Sequence, residues 1–222
     1  MSQNDTNKSI MVLKKNYVYF GNLIPHEPQY QTGLFLGLAL IPKFDQDIFH
    51  DARQPLPFAD DSILGFQSQD VFEHIEHQNL PAVFNEIYRC LTPGGIFRLS
   101  LPDYNSPLLR NRSVYDSHGK ILADLAMGGR VSCKLNQKII IGYDGPPGDA
   151  HLWFPDYGKV CHLILLSDLR KCPTIKFHHG WLDAYDFICE PFEGGIMPVS
   201  RTPPVDMRAG GMPISIVVDF IK

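Results

Sequence analysis

Short apolar runs, each bounded by glycine, proline or aspartate, dominate the first hundred residues. A helical spacing of Val83, Phe84, Ile87 and Leu91 predicts one helix, with Asn79 as its N-cap and Gly94-Gly95 as its stop. Strands alternating with helices or crossovers favour a mainly parallel sheet. The apolar runs predict five strands, at 16–20, 34–41, 47–50, 63–66 and 96–101.

The second half of the chain lacks this regular succession of apolar runs. Residues 105–150 are predicted to be an insertion, with 138–141 as their only strand-like run. A helix is predicted at 156–169. Two closing strands are predicted at 174–178 and 214–221, separated by a stretch at 183–211 that is rich in proline and glycine and is expected to run over the surface. We therefore predict a disordered tail at 1–15 and a single domain at 16–222.

Composition and charge argue against a nucleic-acid-binding or membrane-spanning protein. The chain has 222 residues, of which 44% are hydrophobic, and a formal net charge of −4. This charge gives no reason to expect a nucleic-acid partner, and no apolar run reaches the length of a membrane span. The polar N-terminus lacks a signal-peptide core, and the five cysteines form no CxxC pair. We expect a cytoplasmic protein with reduced thiols and no membrane association.

The block at 56–100, LPFADDSILGFQSQDVFEHI followed by a helix and LTPGGIFRLS, resembles the second half of the cofactor domain of class I methyltransferases, which use S-adenosylmethionine. The segment HLWFP at 151–155 and the terminal strand are also similar to those of methyltransferase-like proteins. The resemblance implies an α/β fold, a Rossmann-like three-layer sandwich. Its mainly parallel sheet would end in an antiparallel hairpin, and the insertion would follow the fifth strand.

Cofactor contacts are expected where strands end, because ligands of open α/β sheets bind at the carboxyl ends of strands. The resemblance implies a glycine turn after the first strand, a ribose-binding acid after the second and a carboxylate for adenine after the third. The later glycines of the turn are missing, and residues 34–41 contain no acid. The expected cofactor-binding residues are Gly21, Asn22, Asp51, Ala52 and Ser68.

Candidate acid–base residues follow the fourth and fifth strands. Asp70, His74 and His151 are the expected catalytic residues, because a base assists methylation of a hydroxyl, and Asp103 is a weaker candidate that we interpret as a turn residue.

A possible metal site overlaps these residues. If a helix begins at Asp70, the offsets 0, 3, 4 and 7 place Asp70, Glu73, His74 and His77 on one face. This pattern resembles the metal-binding element of magnesium-assisted O-methyltransferases, which implies a divalent ion such as Mg²⁺ or Mn²⁺. The alternative is that Glu-His is a structural feature of this turn, with His74 capping it.

Two main functions remain open from the sequence, beside a weaker third alternative, a metal-dependent site without the methyl donor. The first is an S-adenosylmethionine-dependent methyltransferase that acts on the hydroxyl of a small-molecule or glycan-type acceptor. The second is a non-catalytic pseudo-methyltransferase, a binding or assembly module in which Leu23, Ile24 and Pro25 close the cofactor pocket. The sequence does not indicate an oligomeric state.

Overall fold

A computed structural model describes residues 16–127, 131–133, 139–141 and 148–222. The predicted disordered tail at 1–15 lies outside these residues. The helices are Pro28–Gln31 (α1), Leu80–Cys90 (α2), Pro107–Arg110 (α3) and Tyr157–Leu166 (α4). The strands are Tyr17–Phe20 (β1), Phe35–Ala39 (β2), Asp47–Phe49 (β3), Ile63–Gln69 (β4), Leu91–Pro102 (β5), Ser113–Tyr115 (β6), Ile121–Asp124 (β7), Val131–Cys133 (β8), Ile139–Ile141 (β9), Thr174–Trp181 (β10), Phe187–Cys189 (β11) and Ser215–Ile221 (β12).

An eight-stranded sheet organises the protein, in the order β11-β10-β12-β5-β4-β1-β2-β3. The strands from β3 to β5 in this order run parallel, and β12, β10 and β11 add antiparallel pairs. The α/β class and the mainly parallel sheet with its antiparallel hairpin are therefore confirmed. Because the order reverses between β1 and β4, the carboxyl ends of these two strands form the switch point at which a ligand is expected.

One face of the sheet carries the main core. Helices α2 and α4 pack there, and α2 contributes Leu80, Val83, Phe84 and Ile87. The helix ends at Cys90, earlier than the predicted stop at Gly94-Gly95. The prediction was wrong because both glycines already belong to β5. The backbone N–H of Gly94 donates to the carbonyl of Lys222, and the N–H of Lys222 donates to Gly95.

The opposite face is covered by irregular chain instead of long helices: the β1–β2 connection contains only the four-residue helix α1, and the β2–β3 connection contains no helix. We call residues 192–201 the strap. It crosses this face, and its Met197 joins a second core cluster with Tyr19, Leu23 and Phe35. The buried Arg98 of β5 anchors it by donating to the carbonyls of Gly194 (3.1 Å) and Met197 (2.7 Å).

The predicted insertion and the later surface stretch contain more strands than expected. Strands β6 and β7 form one antiparallel hairpin, and β8 and β9 form another. Only β9 falls within the strand-like run at 138–141. Strand β11 lies inside the stretch at 183–211 and pairs with β10. These strands are three or four residues long, which is too short to give a readable alternation.

No helix in the described ranges is long and apolar enough to cross a lipid bilayer.

Candidate functional site

The chain after β4 turns sharply instead of entering a helix. Asp70 has a φ of 52°, in the left-handed region that aspartate tolerates better than most residues. Two separate 3-10 turns follow, Phe72–His74 and His77–Asn79, with Ile75 extended between them. The prediction that Asp70, Glu73, His74 and His77 share one helix face was therefore wrong, since the backbone breaks twice within this segment.

A second segment, 150–154, is held against this turn and brings His151 to it. Each hydrogen bond between the two segments uses a backbone carbonyl or N–H, so their register is fixed. The three hydrogen bonds are His74 Nδ1 to Ala150 O (3.1 Å), Leu152 N to Glu73 O (2.8 Å) and Trp153 Nε1 to Phe72 O (2.9 Å).

Three side chains converge where these segments meet. Glu73 Oε1 lies 3.8 Å from His74 Nε2 and 3.7 Å from His151 Nε2. One ligand atom from each of the three residues can be chosen so that all lie within 4.8 Å of one another. Glu73 is fully buried, and neither of its carboxyl oxygens has a hydrogen-bond partner in the described part of the chain. Such an orphaned buried carboxyl is costly unless a ligand completes it.

Hydrogen bonds fix which nitrogen of each imidazole is free. The carbonyl of Ala150 accepts from His74, so Nδ1 carries the proton there. The hydroxyl of Tyr104 donates to Asp124 Oδ2 (2.7 Å), and its oxygen lies 2.6 Å from His151 Nδ1. Because a carboxylate can only accept, the Tyr104 oxygen accepts from Nδ1. Both imidazoles thus turn an unprotonated Nε2 towards Glu73.

The protonation of the cluster follows from its burial. Burial, followed by the nearby Asp70 carboxylate, raises the pKa of Glu73 well above its usual value. Burial also lowers the pKa of His74, and lowers that of His151 to about 3 with a further contribution from His74. The two imidazoles are therefore neutral at neutral pH, so their contacts with Glu73 are not ion pairs. Neutral imidazoles are available as metal ligands.

The structure places the other two predicted metal ligands outside this cluster. Asp70 Oδ2 forms an ion pair with Arg201 Nη1 at 2.6 Å, so the Asp70 side chain is held at the end of the strap. His77 packs edge-on against Trp153, with ring centroids 4.9 Å apart. Of the three predicted catalytic residues, His74 and His151 lie together, with ring centroids 4.9 Å apart. Asp70 is beside them as an ion pair.

A groove of about 400 Å³ opens at the ends of β1 and β4. Gly21 forms its turn with a φ of 110°, a backbone conformation that favours glycine. Leu23 turns away into the core of the opposite face, and only Ile24 of the three expected plugging residues lies along the groove. Other lining residues are Tyr19, Asn22, Lys43, Gln69 and Val71.

Asp47 holds the mouth of this groove. Its buried carboxylate accepts from the backbone N–H of Leu23 (3.0 Å), Lys43 (3.2 Å) and Phe44 (3.1 Å). Gly37 makes room for it, because a Cβ on Gly37 would lie 2.2 Å from Asp47 Oδ1. One carboxylate therefore pins both the Gly21 turn and the loop across from it.

Substituting Asp47 with alanine is expected to destabilise the protein by about 3 kcal/mol, because three backbone donors lose a charged acceptor. Urea unfolding measures this change. Asp45→Ala, an exposed carboxylate two residues earlier, is the matched control and is expected to change the free energy of unfolding by less than about 0.5 kcal/mol. Equal effects of the two substitutions would contradict the pinning role.

Three predicted cofactor residues do not line the groove. Asp51 forms an ion pair with Arg53 at 2.7 Å, and this contact lowers the pKa of Asp51. Ala52 packs against the main core. Ser68 is fully buried within β4. Gly21 and Asn22 alone of the five expected residues reach the groove.

Asp103 joins strands rather than facing the cluster. Its carboxylate accepts from the backbone N–H of Trp181 (2.6 Å) and of Asn105 (3.0 Å). Burial raises the pKa of Asp103 to about 7 despite these two donors. The side chain ties the end of β5 to β10.

This carboxyl predicts a pH dependence of stability. Its folded-state pKa of about 7 exceeds the usual 3.8, so its contribution is full below pH 3.8 and is lost as pH rises through 7. The loss corresponds to roughly 4 kcal/mol at most. Asp103→Asn lacks this titration. The stability difference between wild type and variant is expected to shrink between pH 4 and 8, as measured by urea unfolding. A difference that stays constant would contradict the assignment.

Sequence reasoning missed four residues that shape the site: Asp47, Tyr104, Asp124 and Arg201. Asp47 offers only a weak signal, an acid as the first residue of the predicted short strand at 47–50. The other three act through contacts across 20 to 131 residues of chain, which no local pattern shows.

Comparison with known proteins agrees with the fold. Residues 42–99 match the family model described as a methyltransferase domain. This segment begins three residues after the end of β2, stops within β5, and includes Glu73 and His74. No curated protein has a matching sequence.

Several solved structures are similar over nearly the whole chain. An S-adenosylmethionine-dependent methyltransferase from Mesorhizobium loti is 13% identical, with 98% of this chain and 96% of that chain covered and a TM-score of 0.46. One from Archaeoglobus fulgidus is 11% identical, with coverage of 99% and 92% and a TM-score of 0.48. A possible histamine N-methyltransferase from Thermotoga maritima is 12% identical, with coverage of 99% and 95% and a TM-score of 0.48. Identities and TM-scores this low do not support an inference about activity.

The segment that matches the family model contributes to the centre and to one edge of the main sheet. It supplies β3, β4, α2 and most of β5, and the sheet around it is mainly parallel and closes with an antiparallel hairpin. Residues 42–99 are therefore similar to a methyltransferase domain in sequence and lie within an α/β sheet.

Proposed function

We propose that this protein is an S-adenosylmethionine-dependent O-methyltransferase assisted by a divalent metal ion. The observation that carries the proposal is the buried Glu73 carboxyl, which has no hydrogen-bond partner among the described residues and faces two free imidazole nitrogens. Val71 lines the groove only two residues before Glu73. The cluster and the groove therefore share the end of β4.

The donor set fits a divalent ion. Glu73 offers a carboxylate oxygen, and His74 and His151 each offer Nε2. Each imidazole is oriented through its other nitrogen, as is usual for metal-ligating histidines. Two nitrogens with one oxygen suit Mn²⁺ or Zn²⁺ better than Mg²⁺, which prefers oxygen.

The groove fits the cofactor in size and backbone shape. A volume of about 400 Å³ lies within the usual range for small-molecule sites. Gly21 and Asn22 would border the amino-acid end of S-adenosylmethionine. No carboxylate is among the groove-lining residues at the end of β2, so we expect weaker binding of the ribose than an acidic residue would give.

Different residues would bind the methyl donor and the acceptor. When bound, S-adenosylmethionine supplies an activated methyl group, and a divalent ion lowers the pKa of an acceptor hydroxyl. The groove orients the donor, while Glu73, His74 and His151 orient the acceptor. Asp70 and Arg201 border the same strand end as an ion pair. A small-molecule or glycan-type acceptor with neighbouring hydroxyls suits such a site.

Two further proposals accompany this one. Residues 16–222 would form a single domain with an insertion at about 105–150, which is supported by a sheet that takes strands from both ends of the described chain. A cytoplasmic location is proposed from the thiols, because Cys90, Cys161, Cys172 and Cys189 are free.

Titration calorimetry tests the proposal. Purified protein is titrated with S-adenosylmethionine and with S-adenosylhomocysteine, each with and without Mn²⁺. Micromolar binding of either nucleoside is expected, together with separate binding of Mn²⁺. No nucleoside binding up to millimolar concentration would overturn the enzyme in favour of a non-catalytic module. Nucleoside binding without metal binding would overturn the metal-assisted mechanism alone.

A further inference from the structure

A series of hydrogen bonds, Arg112–Asp124–Tyr104–His151, links the insertion to the metal cluster. Arg112 Nε donates to Asp124 Oδ2 at 2.8 Å, Tyr104 donates to the same oxygen at 2.7 Å, and Tyr104 meets His151 Nδ1 at 2.6 Å. Asp124, Tyr104 and His151 are each at most 3% exposed. The last three members of the series are therefore largely shielded from solvent, while the Arg112 side chain is one-third exposed.

Each carboxylate oxygen of Asp124 accepts two hydrogen bonds. Its Oδ1 accepts from the backbone N–H of Ala126 (2.8 Å) and of Met127 (3.0 Å), while its Oδ2 accepts from Arg112 and Tyr104. Four donors hold this carboxylate ionised and in place. Because it is ionised, the Tyr104 proton must point at it, and the Tyr104 oxygen is left as an acceptor for His151.

We propose that Tyr104 is a positioning residue that sets the tautomer of His151. By accepting from Nδ1, it holds the lone pair of Nε2 towards Glu73, which is the state that a metal ligand requires. The consequence for metal affinity rests on the proposed function, but the tautomer itself is a property of the metal-free protein.

The insertion thereby acquires a defined role. Arg112 lies just before β6, and Asp124 ends β7, so the β6–β7 hairpin positions the two residues of the series that are farthest from His151. This hairpin sets the state of a ligand that is 27 residues further along the sequence, in addition to any contact with an acceptor.

Tyr104→Phe is the matched test, because phenylalanine keeps the ring that packs on Phe154, at 5.0 Å between centroids. Long-range ¹H–¹⁵N correlation spectra of the metal-free protein report each histidine tautomer. We expect His151 to be protonated at Nδ1 in the wild type and to populate both tautomers in the variant. Tyr115→Phe, which removes an exposed hydroxyl in the same hairpin, is expected to change neither state.

Metal titration supplies the second measurement. Mn²⁺ affinity, measured by calorimetry, is expected to fall about 10- to 100-fold in Tyr104→Phe and to stay unchanged in Tyr115→Phe. An unchanged His151 tautomer in Tyr104→Phe would overturn the positioning role. A changed tautomer in a protein whose wild type binds no Mn²⁺ would instead uphold the positioning role and refute the metal site.

Discussion

Replacing Glu73 by methionine is expected to weaken Mn²⁺ binding by at least about 100-fold, because the cluster loses its anionic ligand. The same change is expected to stabilise the metal-free protein by about 1–3 kcal/mol, since it removes a buried carboxyl without a hydrogen-bond partner among the described residues. Methionine fills a similar volume with apolar atoms. Calorimetry measures the first effect, and urea unfolding in the presence of a chelator measures the second.

The two opposite effects separate a ligand from a merely structural residue. Glu76→Met is the control, because Glu76 lies three residues away with a side chain 40% exposed. It is expected to leave both metal affinity and stability nearly unchanged. A Glu73→Met protein that is less stable than the wild type in the absence of metal would show that the carboxyl stabilises the fold. That result would contradict the assignment of Glu73 as a metal ligand.

Replacing Arg98 by methionine is expected to destabilise the protein by about 3–5 kcal/mol, the usual cost of leaving a buried charge without its partner. Arg98 forms two hydrogen bonds with Asp219, at 2.8 and 2.7 Å, and both side chains are buried. His178 Nε2 remains within 2.9 Å of Asp219, but it cannot replace the lost bidentate contact. Urea unfolding measures the loss.

The effect of Arg98→Met on amide hydrogen exchange is expected to be largest in the strap. Arg98 holds the carbonyls of Gly194 and Met197, and further along the strap Ser200 N donates to Gln69 of the groove at 2.9 Å. Amide hydrogen exchange is therefore expected to rise in residues 194–201 more than in α2. Arg170→Met, an exposed arginine, is the control and is expected to show neither change. Uniformly raised exchange would contradict the anchoring role.

The sheet was predictable from sequence because its signals are local. Apolar runs such as that of β2 fix where strands lie, and the block at 56–100 fixes their order through its resemblance to a known domain. The helix face of Val83, Phe84 and Ile87 was predicted correctly for the same reason, since one amphipathic pattern decides it. Strands β6, β7 and β8 of the insertion were missed because three or four residues do not establish a period, whereas β9 falls within the predicted run at 138–141.

The cluster was only half predictable. Glu73 and His74 stand out as neighbours after a strand, but the helical face that was to add Asp70 and His77 does not form. His151 replaces them because backbone hydrogen bonds bring 150–154 against the β4 turn, across 77 residues of chain. Pairings of this kind depend on the folded arrangement of several elements, and no periodicity in the sequence encodes them.

The proposed binding of one divalent ion by Glu73, His74 and His151 can be observed by anomalous diffraction from crystals of the wild-type protein soaked in Mn²⁺. A single strong peak is expected among Glu73 Oε1, His74 Nε2 and His151 Nε2. If this position stayed empty at a Mn²⁺ concentration that fills other sites in the same crystal, the metal site would be refuted.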